Sequence, residues 1–184
     1  MHSPEEDEDD LITSAILVAC EEGNLAALEQ LANVHRLSLL VSNEHGETPI
    51  HIAAGNGFDS IVSFLYTHGG QLGIADRRGD TPIFWAARNG HSNVIHLIAD
   101  KVDINIKNKN QETALHVATR YAQVTSAISL LEKGANIDVV DEHGETPLHI
   151  ASWHGYTLLL SILCRFGPTL DLKNGVRFYF TFKR

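Results

Sequence analysis

The apolar residues of this chain fall in short runs at helical spacing, separated by polar stretches of a recurring kind. "FDSIVSFLYTHG" (58–69) and "HSNVIHLIAD" (91–100) each carry apolar residues on one side of a predicted helix. The intervening stretches place Asp or Asn before Gly, as in "ADRRGDT" (75–81) and "VDEHGET" (140–146). That is turn chemistry and predicts a hairpin-like finger. After each finger come a Thr, usually a Pro, a second apolar run, two small residues and a turn. Two helices per finger are expected.

The arrangement repeats. Thr48-Pro49-Ile50-His51, Thr81-Pro82-Ile83-Phe84, Thr113-Ala114-Leu115-His116 and Thr146-Pro147-Leu148-His149 begin at intervals of 33, 32 and 33 residues. Small pairs follow each one: Ala53-Ala54, Ala86-Ala87, Ala118-Thr119 and Ala151-Ser152. Gly57, Gly90, Ala122 and Gly155 close the first helix of each unit. A fainter copy, "SAILVACEEGN" (14–24), has Ala19-Cys20 and Gly23 in register.

Each position has a physical reason. Thr caps a helix N-terminus, and Pro at the first helical position loses no hydrogen bond. The small pairs let neighbouring helices approach, and Gly permits the tight turn. A unit of this kind buries one face only by stacking on the next. The fold expected is therefore an all-α solenoid of about five helix-turn-helix units joined by hairpin-like fingers. The units run about 11–43, 44–76, 77–108, 109–141 and 142–174. The first is expected to act as an end cap, with Glu21 and Glu22 where the other units carry mixed residues and the acidic stretch before it.

The irregularities are informative. Gln111 stands where Gly46, Gly79 and Gly144 stand, at a position expected to need φ > 0, so that finger should be strained or reshaped. Phe84 replaces His and Ala122 replaces the turn glycine. The third unit is one residue short near Asp100-Lys101, where the others have Gly69, Gly134 and Gly167. The centre is thus the least regular region and is expected to be the least stable. After Asn174 the pattern gives way to "GVRFYFTFKR" (175–184), read as an irregular tail from a truncated or mis-spliced product.

Charge and composition then narrow the function. Of the formal charge of −9, "EEDEDD" (5–10) supplies six negatives, so residues 1–10 are read as an acidic, disordered lead-in. No basic face recommends nucleic-acid binding. No apolar run approaches the 18 residues of a membrane span, and the N-terminus lacks the features of a secretory signal. Cys20 and Cys164 form neither a disulfide framework nor a CxxC pair, which suits the cytoplasm.

Together the period and the TPLHxAAxxG pattern resemble the ankyrin repeat. More narrowly, "IAAGNG" (52–57), "IFWAARNGH" (83–91), "ALHVATRY" (114–121) and "PLHIASWHGY" (147–156) resemble the ankyrin segment of death-associated protein kinases. That resemblance implies a cytosolic Ser/Thr kinase in which a calmodulin-regulated kinase domain precedes the repeats and Roc-COR and death domains follow. The kinase glycine loop, VAIK-type lysine, HRD and DFG are all missing from this sequence, as is a GxxxxGK[ST] loop. The reading is therefore a non-catalytic protein-protein interaction scaffold, a fragment or kinase-less relative of such a kinase. Two alternatives stay open. The chain is part of a Ser/Thr kinase polypeptide in apoptotic or cytoskeletal signalling, or it is a free-standing ankyrin adaptor or inhibitor.

Candidate chemistry comes last. His51, His116 and His149 occupy equivalent places in successive units, and helices packed roughly 8–10 Å apart cannot bring them to one metal at about 2 Å. They are read with Thr48, Pro49, Thr81, Pro82, Thr113, Thr146 and Pro147 as structural repeat residues. No cofactor, metal, nucleic acid, membrane or small-molecule substrate is expected. The expected partner is another protein, bound on the concave face. Arg77, Arg78, Arg88, Lys109, Arg120, Tyr121, Trp153 and His154 are its candidate contacts, because Arg, Tyr and Trp dominate binding hot spots. The basic central fingers, with Lys107, lie between Glu44, Glu47, Glu142 and Glu145, and point to an acidic segment on that partner.

Overall fold

Where the repeat begins, the backbone supports the helix start that the sequence predicts. Thr48, Thr81, Thr113 and Thr146 are all extended, with φ between −98° and −88°, and a helix begins at the next residue. The computed structural model describes residues 4–35 and 41–168. Ten α-helices lie among them: α1 (Pro4–Glu21), α2 (Leu25–His35), α3 (Pro49–Gly55), α4 (Asp59–Thr67), α5 (Pro82–Asn89), α6 (Ser92–Ile98), α7 (Ala114–Arg120), α8 (Val124–Glu132), α9 (Pro147–Trp153) and α10 (Thr157–Arg165). No strand occurs among the described residues.

Two layers result. Helices α1, α3, α5, α7 and α9 pack one upon the next, and each following even-numbered helix folds back on its predecessor. Helices α4, α6, α8 and α10 stack in turn as the outer layer. The small pairs Ala53-Ala54, Ala86-Ala87 and Ala118-Thr119 are buried between units. Thr119 fits because its hydroxyl donates to the Leu115 carbonyl at 2.8 Å, leaving no unsatisfied polar group. Ile61, Val62 and Leu65 of α4 and Val94, Ile95 and Ile98 of α6 fill the space between layers.

The missing residue of the third unit is absorbed at the end of α6. That helix stops at Ile98 and tightens into a 3-10 turn over Ala99–Lys101, whereas α4, α8 and α10 each run nine residues. Left-handed backbone appears at Gly57 (φ 78°) and Gly90 (φ 88°). A Cβ at Gly57 would lie 2.4 Å from the His91 ring nitrogen, so that glycine answers to sterics as well as torsion. At the equivalent place Ala122 has φ 55°, and Gln111 has φ 59° where Gly46, Gly79 and Gly144 have 74°, 82° and 74°. Both residues are held in a conformation that costs about 1–2 kcal/mol for an L side chain.

Helix α1 begins at Pro4 and continues through the acidic stretch. Proline suits the first helical position, and negative charge near the helix N-terminus complements the macrodipole. The tail 175–184, and residues 169–174 of the fifth unit, lie outside the described residues.

Replacing Gln111 or Ala122 by Gly should raise stability by about 0.5–1 kcal/mol each, as relief of the torsion outweighs the added freedom of the unfolded chain. Urea unfolding of the two variants checks this, and a lowered midpoint would contradict it.

Candidate protein-interaction surface

The fingers are rigid because each carries its own hydrogen-bonded turn. Asn43, Asp76, Asn108 and Asp141 each accept two backbone N–H groups from residues two and four further on, at 2.8–3.0 Å. Main-chain bonds then join finger to finger: Arg77 N–H to the His45 carbonyl (3.0 Å), Lys109 to Arg78 (3.1 Å) and Glu142 to Asn110 (3.1 Å).

Histidine ties these fingers to the helices. His51 Nδ1 accepts the Thr48 backbone N–H at 3.2 Å and lies 2.8 Å from its hydroxyl. Its Nε2 lies 3.1 Å from the Asp80 carbonyl of the next finger. A carbonyl only accepts, so Nε2 carries the proton and Nδ1 does not; the ring is neutral. His116 repeats the pattern on Thr113 and on the Glu145 carbonyl at 3.0 Å. His149 Nδ1 likewise accepts from Thr146 N–H at 3.2 Å. The Thr hydroxyl supplies one half of this cap and the imidazole the other. Both ring nitrogens of His51 and His116 are used, which leaves no lone pair for a metal. Burial lowers the pKa of both rings, against the opposing pull of the carbonyl bonds and nearby carboxylates. Burial, with Glu21 adding to it, pushes the Cys20 thiol up to about 12, far from a nucleophilic thiolate.

Arginine provides the second tie. Arg88 at the end of α5 pairs with Asp80, which is only 1% exposed and also accepts Asn108 Nδ2 at 2.8 Å. Arg120, one unit on, pairs with Glu112 at 2.9 Å and with Asp141 of the next finger at 3.3 Å. Trp85 donates its indole N–H to Asp76 at 3.1 Å. Above these pairs opens a cleft of about 570 Å³, lined by both arginines, Arg78, Lys109, Glu142 and Tyr121 among others. The Arg88 guanidinium lies 5.6 Å from the centre of the Tyr121 ring, a cation–π distance.

A family model for Ankyrin repeats (3 copies) matches residues 16–108 and 96–174. The chain is an ankyrin-repeat protein. Among curated proteins it is 32% identical over 75 residues to "Death-associated protein kinase dapk-1" of Caenorhabditis elegans. The match covers 36% of this chain and spans 5% of that relative. No helix among the described residues is long and apolar enough to cross a membrane.

Within the ankyrin frame the candidate contact residues divide. Arg78, Arg88, Lys109, Arg120 and Tyr121 meet at one cleft. Arg77 is exposed on the finger beside it. Trp153, 67% exposed, and His154 stand one unit further on and do not line it; the His154 ring stacks on Tyr156 at 5.2 Å. The charges of Arg88 and Arg120 are committed inside the fold, whereas Arg77, Arg78 and Lys109 make no ion pair among the described residues. The carboxylate floor of Asp80, Glu112 and Asp141 lies outside the residues that the sequence singles out. Its sequence signal is the Arg eight residues after the acid in both central ankyrin units, Asp80 to Arg88 and Glu112 to Arg120.

Two measurements follow. The unfolded chain takes up protons as pH falls through the ordinary histidine value of 6.5, while His51 and His116 stay neutral to lower pH. The unfolded state then binds more protons, so stability is held above 6.5 and falls below it, by up to about 1.4 kcal/mol per pH unit per ring. Urea midpoints at about pH 7.5 and 5.5 should show this drop, reduced in a His51→Phe/His116→Phe variant that copies Phe84. Separately, Arg88→Met leaves Asp80 buried without its cation and should cost about 2–3 kcal/mol, below the 3–5 of a fully buried pair because Arg88 retains 21% exposure. A loss under about 0.5 kcal/mol in denaturant unfolding would place the pair among ordinary surface contacts.

Proposed function

We propose that this chain is a non-catalytic scaffold that binds a partner protein on the concave face formed by its fingers and the ends of α5, α7 and α9. One observation carries the reading. Tyr121, 52% exposed, stands with Arg78 and Lys109 at the mouth of a cleft whose floor carboxylates are already paired with Arg88 and Arg120. A large aromatic beside uncommitted cations on rigid supports is the composition of a binding hot spot. Those cations favour an acidic segment on the partner.

The identity to a death-associated protein kinase supports a finer reading: this is an ankyrin segment, or a kinase-less relative, from that signalling setting. Phosphoryl transfer would belong to the larger polypeptide and not to these residues. A cytoplasmic location accords with a buried, unpaired Cys20 and a partly buried, unpaired Cys164.

Arg120 is a poor probe of binding, since its removal also unpairs Glu112 and Asp141. The test compares proteins captured from lysate by the parent, by a Tyr121→Ala/Lys109→Glu variant and by Tyr66→Ala on the outer layer. The finger-side variant should lose the captured proteins and the outer variant keep them; the reverse result would move the binding face.

A further inference from the structure

Resting on that reading, we infer that the partner segment is acidic at its centre and basic at both ends, and that it crosses the fingers in extended form. The argument starts from which charges the fold has already used. Asp76, Asp80, Glu112 and Asp141 are buried and take hydrogen bonds from Trp85, Arg88, Asn108, Arg120 and main-chain N–H groups. Asp80, Glu112 and Asp141 line the cleft floor, where Arg88 and Arg120 already pair with them.

What remains at the tips is ordered by sign. The first described finger presents Glu44, 83% exposed, and the last presents Glu142, 48% exposed. Each lies 3.6 Å from the ring of the histidine beside it. Between them the two central tips present Arg77, Arg78 and Lys109. Main-chain bonds lock the four tips in register, so the sequence negative, positive, positive, negative is fixed in space. An all-acidic segment would meet repulsion at both ends, and an all-basic one would meet it in the middle. Like-charge juxtaposition of this kind rejects wrong partners more than it adds affinity.

The spacing sets the length. Three finger-to-finger steps of roughly 8–10 Å span about 24–30 Å, which an extended chain at about 3.3 Å per residue covers in roughly eight residues. Basic residues about eight apart, with acids midway, match the tips.

Three labelled peptides with capped ends test this by fluorescence anisotropy. The first is Lys-Lys-Gly-Ser-Glu-Glu-Glu-Ser-Gly-Lys-Lys. The second has the same composition with all acids moved to one end, and the third exchanges Lys and Glu throughout. Measurements at about 0.01 M ionic strength keep the screening length near 30 Å, the span of the array. The first peptide should bind about tenfold more tightly than either other peptide. An Arg78→Glu/Lys109→Glu variant with an unchanged circular dichroism spectrum should lose that preference. A Glu44→Lys/Glu142→Lys variant should bring the first two peptides together. Equal affinities for all three, no binding by any, or a preference that survives the Arg78→Glu/Lys109→Glu change would each overturn the inference. If capture from lysate still depends on Tyr121 when the peptides fail to discriminate, the charge order alone is wrong. If that dependence is lost, the surface itself is wrong.

Discussion

A neutral imidazole, buried between one helix and the next finger, is the constraint on which the array depends. It accepts from Thr on one side and donates to a carbonyl one unit away on the other, as His51 does to Asp80 and His116 to Glu145. Its acceptor and its donor nitrogen are both engaged, so the link tolerates neither a second proton nor a shifted neighbour. Finger height is thereby set relative to the helices. Everything that depends on finger height, including the cleft and the order of charged tips, follows from it.

The centre of the array shows what happens when the link is absent. Phe84 is fully buried and offers no hydrogen bond, so the seam between the units of α5 and α7 must be held otherwise. Side chains take over: Asn108 to Asp80 at 2.8 Å, Gln123 to the Arg88 carbonyl at 3.0 Å, Ser129 to His96 at 3.2 Å. The strained torsions of Gln111 and Ala122 fall in the same neighbourhood, at the finger and at the turn after α7. Irregularity and the candidate surface coincide there, as expected where positions answer to something other than the repeat.

Much of the fold was legible because its demands are local. Thr before Pro, Gly at a left-handed turn and Ala between close helices are each dictated by one residue's own sterics, so a 33-residue period exposes them. Gln111 and Ala122 were readable for the same reason: the period marked where φ must be positive. The site was legible only in part. Arg88 and Arg120 read as surface residues because helix ends are usually exposed. The acids that hold them lie eight residues earlier, across the finger-to-helix corner. Asp76 and Asp141 read as turn formers, which they are through one oxygen. Their second oxygen takes Trp85 and Arg120 respectively, a contact that turn chemistry does not announce.

The substitution at Phe84 also bears on mechanics. Units in a solenoid are loaded in series when the chain is pulled from its ends, so the seam with the weakest short-range resistance opens first. Two of the three described seams between full units carry a buried histidine bond that salt does not screen. The Phe84 seam lacks that bond and relies more on polar and charged side chains, among them the exposed Lys133–Asp100 pair, which ions weaken. The molecule thus contains one joint whose yield force tracks ionic strength most steeply, set between two that each keep a contribution salt does not reach.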